Sequence, residues 1–308
     1  MQFKMKKYLY IVLVVAIIGC KQKEKSKNGK LQIVTTTTMI TDLVKNIGGD
    51  KIEVKGLMGA GVDPHLYKAS EGDVSKLFNA DVIIYNGIHL EGKLEEVFEK
   101  MRHQNKKTIA VSDAIDKSTL IESEFFASNY DPHIWFDITN WEIITKYLIS
   151  QLSDLDSKNA AFYAKNGEAY LKELAALKVT ITEMINPLPM EKRILVTAHD
   201  AFNYFGKAFQ FNVVGLQGLS TATEAGVKDV QKMAAFIMEK DVKSIFIESS
   251  VPRRTVEALQ EAVKYRGHEI EIGGTLFSDA LGDFGTVEGT YIGMYIHNVK
   301  TIISSLQK

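Results

Sequence analysis

The sequence predicts an α/β fold in which two βα lobes with parallel sheets are joined by one long, rigid helix. Short β-rich runs alternate with helical patterns from Leu31 onward, and the same alternation begins again at Ile194. Between the two series, residues 159–185 keep a helical pattern that no proline interrupts. The chain has 308 residues, which is enough for two domains of ordinary size.

The N-terminus has the pattern of an export signal. Three lysines precede an apolar run over residues 8–18, which is followed by Gly19 and Cys20. As a helix this run would span about 16 Å, roughly half of a bilayer's hydrocarbon core. We therefore predict a signal peptide over residues 1–19, and not a membrane-spanning helix. Residues 17–20 resemble the lipobox of bacterial lipoproteins, which implies a lipid on Cys20. The alternative is an apolar N-terminal strand of a cytosolic protein.

Composition excludes several classes of function. Cys20 is the single cysteine of the chain, so disulfides and thiolate metal sites are both excluded. The formal net charge is −1, which gives no reason to expect a nucleic-acid partner. Residues 21–30 contain no apolar side chain. We therefore expect residues 20–30 to form a lipidated cysteine and a flexible tether that holds the folded body away from a membrane.

The first lobe is predicted over residues 31–157. Its expected strands are 31–35, 52–57, 82–85 and 108–111, and its expected helices are 39–47, 74–79, 93–100 and 141–152. Ser70 and Asp73 have the spacing of a capping box for the second of these helices.

The second lobe is predicted over residues 188–308 and repeats this plan. Its expected strands are 194–197, 212–216, 244–247 and 269–272, and its expected helices are 201–209, 227–240, 255–265 and 287–306.

The interlobe helix is predicted over residues 158–187. One face of it carries an apolar series at helical spacing: Tyr163, Tyr170, Leu174, Leu177, Ile181 and Met184. Pro187 and Pro189 end it. A helix of this length spans about 40 Å, and a stiff connection of that kind should limit how far the two lobes open.

Two of the seven histidines occur in the same local sequence, Asp63-Pro64-His65 and Asp131-Pro132-His133. Proline restricts its own backbone and that of the residue before it, so the following histidine leaves a stiff loop in a defined direction. We expect His65 and His133 to ligate a metal ion, with Asp63 and Asp131 accepting the second ring N–H. Taken singly, either histidine is more often a turn residue than a ligand, and it is the repetition of the motif that favours ligation.

His199 is the third expected ligand. It is predicted to follow a strand directly and to precede a helix, at the edge of the sheet where ligands bind in open α/β folds. A helix N-terminus there would disfavour the imidazolium form. The alternative is a histidine that only caps this helix.

The fourth expected ligand is a carboxylate, and two candidates compete. Asp279 lies just beyond the last strand of the second lobe, and Glu248 lies at another strand end. Three imidazoles and one carboxylate form a set that suits zinc and also accepts manganese.

The remaining histidines are expected to have no ligating role. His103 should be solvated, His268 should open a surface strand, and His297 should lie on the final helix. His89 follows a strand end and should lie near the site without ligating.

Several motifs together resemble the zinc- and manganese-specific solute-binding lipoproteins of ABC importers. Besides the lipobox, the motifs are residues 61–67, 131–137, 196–202, 215–221 and 247–250, and the resemblance extends from about residue 30 to the C-terminus. It implies one Zn²⁺ or Mn²⁺ ion buried in the cleft between the lobes.

The resemblance also assigns roles to individual residues. It implies that His65 and His133 are the ligands of the first lobe, and that His199 and Asp279 are those of the second. Glu248 then contacts a ligand and not the ion. Zinc-specific relatives often carry a histidine-rich loop that residues 113–130 lack, and manganese-specific relatives often have glutamate where this chain has His199. Zinc and manganese therefore both stay open.

We accordingly expect a monomeric, non-enzymatic protein of the cell envelope. It would be anchored on the extracytoplasmic side by its N-terminal lipid and would deliver its metal to an ABC permease. Two alternatives are a surface adhesin or structural lipoprotein with an incidental metal site, and a zinc hydrolase. The hydrolase is disfavoured because the chain has no His-Glu-x-x-His pair and only Glu248 is available as a general base.

Overall fold

The computed structural model describes residues 29–124 and 126–308. The predicted signal peptide, Cys20 and most of the predicted tether lie outside the described residues. Residues 31–308 form one compact unit. Its α/β architecture with two lobes and parallel strands confirms the predicted fold class. The lobe boundaries stay predictions, and we use "first lobe" for residues 31–157 and "second lobe" for residues 188–308.

The first lobe is a parallel sheet flanked by helices. Its strands are β1 (Leu31–Thr35), β2 (Ile52–Gly56), β3 (Val82–Tyr85) and β4 (Lys107–Ala110), in the order β2-β1-β3-β4. Its helices are α1 (Thr38–Gly48), α2 (Glu71–Asn79), α3 (Glu95–His103) and α4 (Ile138–Leu155). The capping box of Ser70 and Asp73 at the start of α2 is confirmed, and it satisfies N–H groups that the first turn leaves free.

The second lobe contains two pairs of parallel strands. Strand β5 (Ile194–His199) pairs with β6 (Asn212–Gln217), and β7 (Ser244–Glu248) pairs with β8 (Glu271–Leu276). Strands β5 and β7 lie side by side. The helices of this lobe are α6 (Asn203–Phe209), α7 (Val227–Glu239), α8 (Arg254–Tyr265) and α9 (Tyr291–Leu306).

Some predicted element boundaries in the second lobe were wrong. His199 is the last residue of β5, and α6 begins only at Asn203, so His199 neither caps that helix nor lies at its N-terminus. His268 precedes β8 instead of opening it, and its Nε2 lies 3.2 Å from the carbonyl oxygen of Val242. Helix α9 begins after Thr290, whose side chain caps it, because the preceding residues form hydrogen-bonded turns.

The interlobe helix is α5 (Ala160–Ile185), and its predicted apolar face is largely confirmed. Five of the six predicted residues are buried, whereas Met184 is half-buried and Ile185 takes its place in the core. Helix α5 packs against α1 and α4 of the first lobe and against α9 of the second.

The two lobes also share one hydrophobic core. It includes Ile33 and Trp141 from the first lobe and Tyr291 and Leu306 from the second. The rings of Trp141 and Tyr291 stack across the lobes with centroids 4.9 Å apart. Because separating these surfaces would expose apolar area to water, the lobes are held together by much more than one helix. No helix among the described residues is both long and apolar enough to cross a membrane.

Candidate metal centre

Four side chains converge where strands of both lobes end. His65 lies in the loop between β2 and α2, His133 lies between β4 and α4, His199 ends β5, and Asp279 follows β8. All four are buried, and each offers one ligand atom within 4.8 Å of the others. The structure therefore brings together all four residues that the sequence predicted as metal ligands.

Four separations between these atoms are close to those expected around a tetrahedral ion. Oδ2 of Asp279 lies 3.2 Å from Nε2 of His199, and Oδ1 of Asp279 lies 3.5 Å from Nε2 of His133. Nε2 of His65 lies 3.7 Å from Asp279 and 3.3 Å from Nε2 of His133. Ligands about 2.0–2.2 Å from a tetrahedral zinc ion are about 3.3–3.6 Å apart.

Unpaired polar atoms at the centre support the same interpretation. Nε2 of His199 and both oxygens of Asp279 are buried and have no hydrogen-bond partner outside the four candidate ligands. Leaving a buried polar atom unpaired costs about 1–3 kcal/mol, and more when the group is charged. A cation in the middle of the cluster would bind all three atoms, and the two other imidazoles with them.

Charge inside the cluster is arranged to receive a cation. Burial lowers the pKa of His65 to about 3 despite the nearby charge of Asp279, so this ring is neutral at pH 7. Burial also opposes the charge of His199, but Glu248 and Asp279 outweigh it and raise the pKa of His199 well above its usual value. The same interaction overcomes burial at Asp279 and lowers its pKa. In the absence of metal, His199 and Asp279 thus form an ion pair, and metal binding must release a proton.

Carboxylates behind two of the imidazoles hold the rings in place. Oδ1 of Asp131 accepts the Nδ1–H of His133 at 2.7 Å. Glu248 accepts the Nδ1–H of His199 at 2.5 Å and the backbone N–H of the same residue at 2.8 Å. In the neutral form of each ring, these contacts keep the hydrogen on Nδ1 and direct the lone pair of Nε2 towards the cluster.

Asp63 makes a different contact from the one expected. Its Oδ1 accepts the backbone N–H of His65 at 2.8 Å, and Oδ1 of Asp131 accepts the backbone N–H of His133 at 2.9 Å. Each Asp-Pro-His motif is thus an Asx-turn, in which aspartate caps the backbone two residues ahead. Asp63 uses its second oxygen to accept the hydroxyl of Thr221 at 2.5 Å and not to orient the imidazole ring.

The other histidines lie outside the cluster. His89 packs its ring 6.0 Å from Phe126, which in turn lies 6.4 Å from the ring of His65. Nδ1 of His89 lies 2.6 Å from Oε1 of Glu95. His89 is therefore close to the metal centre, but its ring pairs with Glu95 and is not one of the four candidate ligands. The side chain of His103 is 79% exposed, and His297 lies on α9.

Sequence reasoning missed several residues that support the centre. Asn203 and Tyr204 donate hydrogen bonds to Asp131, and the indole of Trp135 donates to the carbonyl of Ser278, next to Asp279. The two residues of each hydrogen bond are far apart in the chain, so no local sequence pattern predicts these contacts. The available signal was the aromatic-rich sequence that follows His133 and His199.

The chain resembles known proteins over most of its length. Residues 33–305 match the family described as "ZnuA: Zinc-uptake complex component A periplasmic". The zinc-binding protein TroA of Treponema pallidum (strain Nichols) is 48% identical over 286 residues, which are 93% of this chain and 92% of that protein. The manganese-binding lipoprotein MntA of Bacillus subtilis (strain 168) is 45% identical over 294 residues, 95% of each chain.

A more distant relative and a solved structure agree with these matches. The manganese ABC transporter substrate-binding lipoprotein PsaA of Streptococcus pneumoniae is 32% identical over 307 residues, 97% of each chain. The solved structure of the periplasmic zinc-binding protein TroA from Treponema pallidum has a TM-score of 0.88 and 49% identity, and the match covers 90% of this chain and 99% of that one.

Proposed function

This chain belongs to the family of periplasmic zinc-uptake component A proteins, and from that premise we propose that it captures one Zn²⁺ or Mn²⁺ ion and delivers it to the permease of an ABC importer. The observation that carries the proposal is the buried cluster of three imidazoles and one carboxylate between the lobes. His65 and His133 bind the ion from the first lobe, and His199 and Asp279 bind it from the second.

Zinc and manganese are both candidates for the cargo. Three nitrogens and one oxygen at tetrahedral separations suit zinc, and the affinity of such a set generally favours zinc over manganese. Manganese is also accommodated if Asp279 binds it through both carboxylate oxygens, and neither oxygen has a hydrogen-bond partner outside the four candidate ligands. The relatives are named for zinc in one case and for manganese in two.

Capture takes place outside the cytoplasmic membrane. Two relatives are named as lipoproteins, and the lipobox-like residues 17–20 of this chain would place the lipid on Cys20. The protein acts as a monomer on this anchor, with residues 21–30 as its tether.

Binding without catalysis fits the environment of the cluster. A catalytic zinc keeps one position open for water, whereas here four protein ligand atoms lie within 4.8 Å of one another and can fill all four positions. Glu248, the one candidate base, uses both carboxylate oxygens to hold His199. It therefore has no oxygen directed at a water on the metal.

Metal content and thermal stability together test the proposal. Purified mature protein should contain close to one zinc or manganese per chain. Chelation should lower its melting temperature by roughly 5–10 °C, because saturation at about 100 times Kd stabilises a fold by about 2.7 kcal/mol. His133→Ala should abolish both the metal and the shift, and the exposed His103→Ala should keep both. A wild-type chain without bound metal, and without a shift for either ion, would overturn the proposal and favour an adhesin or structural role.

A further inference from the structure

The His133 segment, residues 131–136, is anchored firmly to the second lobe. All of its residues are buried. Its hydrogen bonds to the second lobe are Asn203 Nδ2 to Asp131 Oδ2 (3.0 Å), Tyr204 OH to Asp131 O (3.0 Å), Trp135 Nε1 to Ser278 O (3.1 Å), Tyr291 OH to Trp135 O (2.7 Å) and Tyr295 OH to Phe136 O (2.7 Å). His133 is therefore tied to the second lobe, which also carries His199 and Asp279.

The loop that carries His65, residues 57–70, has a much weaker connection to the second lobe. Residues 59–61 are exposed, and Leu66 is 48% exposed. Within the described residues, one hydrogen bond joins this loop to the second lobe apart from contacts among the ligands. It runs from the hydroxyl of Thr221 to Oδ2 of Asp63, at 2.5 Å. Segments with few buried contacts open at the lowest free-energy cost, so His65 is the ligand most easily withdrawn.

The burial of Thr221 and the turn around it favour its contact with Asp63. It lies in the loop between β6 and α7, and it is 7% exposed although the three residues after it are exposed. The hydroxyl of Ser220 accepts the N–H of Ala222, which forms a turn around Thr221. Asp63 then has one oxygen on Thr221 and the other on the backbone N–H of His65. The carboxylate of Asp63 thus connects the second lobe to the turn that orients His65.

We propose that Thr221 is a positioning residue that sets the lifetime of the bound ion, by holding the His65 loop closed through Asp63. The inference rests on the proposed metal-capture function and adds to it the contact that must break before release. Thr221 does not touch the ion, so it should act on the rate of metal dissociation and leave the stoichiometry unchanged. Hydrogen bonds to charged groups are stronger than neutral ones, and loss of this one should speed dissociation by about tenfold, equivalent to about 1.4 kcal/mol.

Stopped-flow release of Zn²⁺ from the mature protein into excess chelator tests the proposal. Thr221→Val keeps the shape and removes the hydroxyl, whereas Thr221→Ser keeps the hydroxyl. Thr223→Val, at an exposed threonine of the same loop, is the matched control. We expect about tenfold faster release from Thr221→Val, and release within about threefold of wild type from Thr221→Ser and Thr223→Val. All should bind one zinc per chain.

A double-mutant cycle separates this role from a merely structural one. If Thr221 acts through Asp63, Thr221→Val should add almost nothing to the release rate in an Asp63→Ala background. Equal acceleration in both backgrounds, or a wild-type release rate in the single variant, overturns the inference and leaves the proposed function intact. A wild-type protein that binds neither zinc nor manganese overturns the proposed function itself.

Discussion

Glu248→Gln tests how far the carboxylate behind His199 contributes to metal affinity. Glu248 is 3% exposed, and its two oxygens accept the backbone N–H and the Nδ1–H of the same histidine. Glutamine has one acceptor oxygen and one NH₂ group at these positions. One N–H of His199 must therefore face another donor, or the imidazole must turn away from its position in the cluster.

The expected loss follows from this mismatch. A buried donor without a partner costs about 1–3 kcal/mol. Loss of a carboxylate behind a metal-bound histidine typically lowers metal affinity by about 10- to 100-fold, which is about 1.4–2.7 kcal/mol. Both values point to an affinity loss of one to two orders of magnitude, with the fold retained because the side chains are nearly isosteric.

The pH dependence of the loss has a definite sign. The charge of Glu248 helps to raise the pKa of His199, so protons compete with the metal more strongly in wild type than in Glu248→Gln. Between about pH 6 and about pH 8, the affinity gap should widen as pH rises, because His199 of the wild type holds the competing proton to a higher pH than His199 of the variant.

Competition with a chromophoric zinc chelator measures both affinities across this pH range. Glu269→Gln, at an exposed glutamate of the second lobe, is the matched control and should bind like wild type. Glu248→Gln with an affinity within twofold of wild type near about pH 8 would refute the role we assign to this carboxylate.

Two further predictions concern stability. Burial raises the pKa of Asp42 to about 6 although its carboxylate accepts the N–H of Tyr291, so ionisation destabilises the fold. Asp42→Asn should raise the free energy of unfolding by roughly 1–3 kcal/mol at pH 7, and urea titrations should show the gain vanish as pH falls through about 6 towards about 4, where wild type is protonated. A Cβ on Gly215 would lie 2.4 Å from the backbone nitrogen of Asp200, directly after His199. Gly215→Ala should therefore lower the free energy of unfolding by roughly 1–3 kcal/mol and weaken zinc binding. Gly218→Ala is the control, because the space around Gly218 is open, and it should change neither property. Urea unfolding and zinc titration of both variants test the prediction.

Much of the fold was predictable because its signals are local. The alternation of strand and helix patterns, the Ser70–Asp73 capping box and the apolar face of α5 all depend on residues within a few positions of one another. The errors arose where tertiary contacts extend or shorten an element. Strand β5 continues to His199 because its register with β6 runs on to Gln217, which the local pattern around residues 198–202 does not show.

The candidate site was predictable in its residues but not in its internal contacts. The repeated Asp-Pro-His motif pointed to His65 and His133 without any structure. From the residues alone, Asp279 and Glu248 were equivalent carboxylates at strand ends. The structure separates them, because Glu248 faces Nδ1 of His199 while the oxygens of Asp279 face Nε2 atoms and have no other partner.

The sequence by itself determined which donor groups are available and which turns present them. Proline and aspartate act on the backbone within two residues, so they orient a histidine wherever the loop happens to lie. Only the tertiary structure decided that these loops meet, because that depends on how strands from distant parts of the chain pack side by side. The contact between Thr221 and Asp63, 158 positions apart, is of this second kind: two short polar side chains become partners only when the shared core holds the lobes at hydrogen-bonding distance.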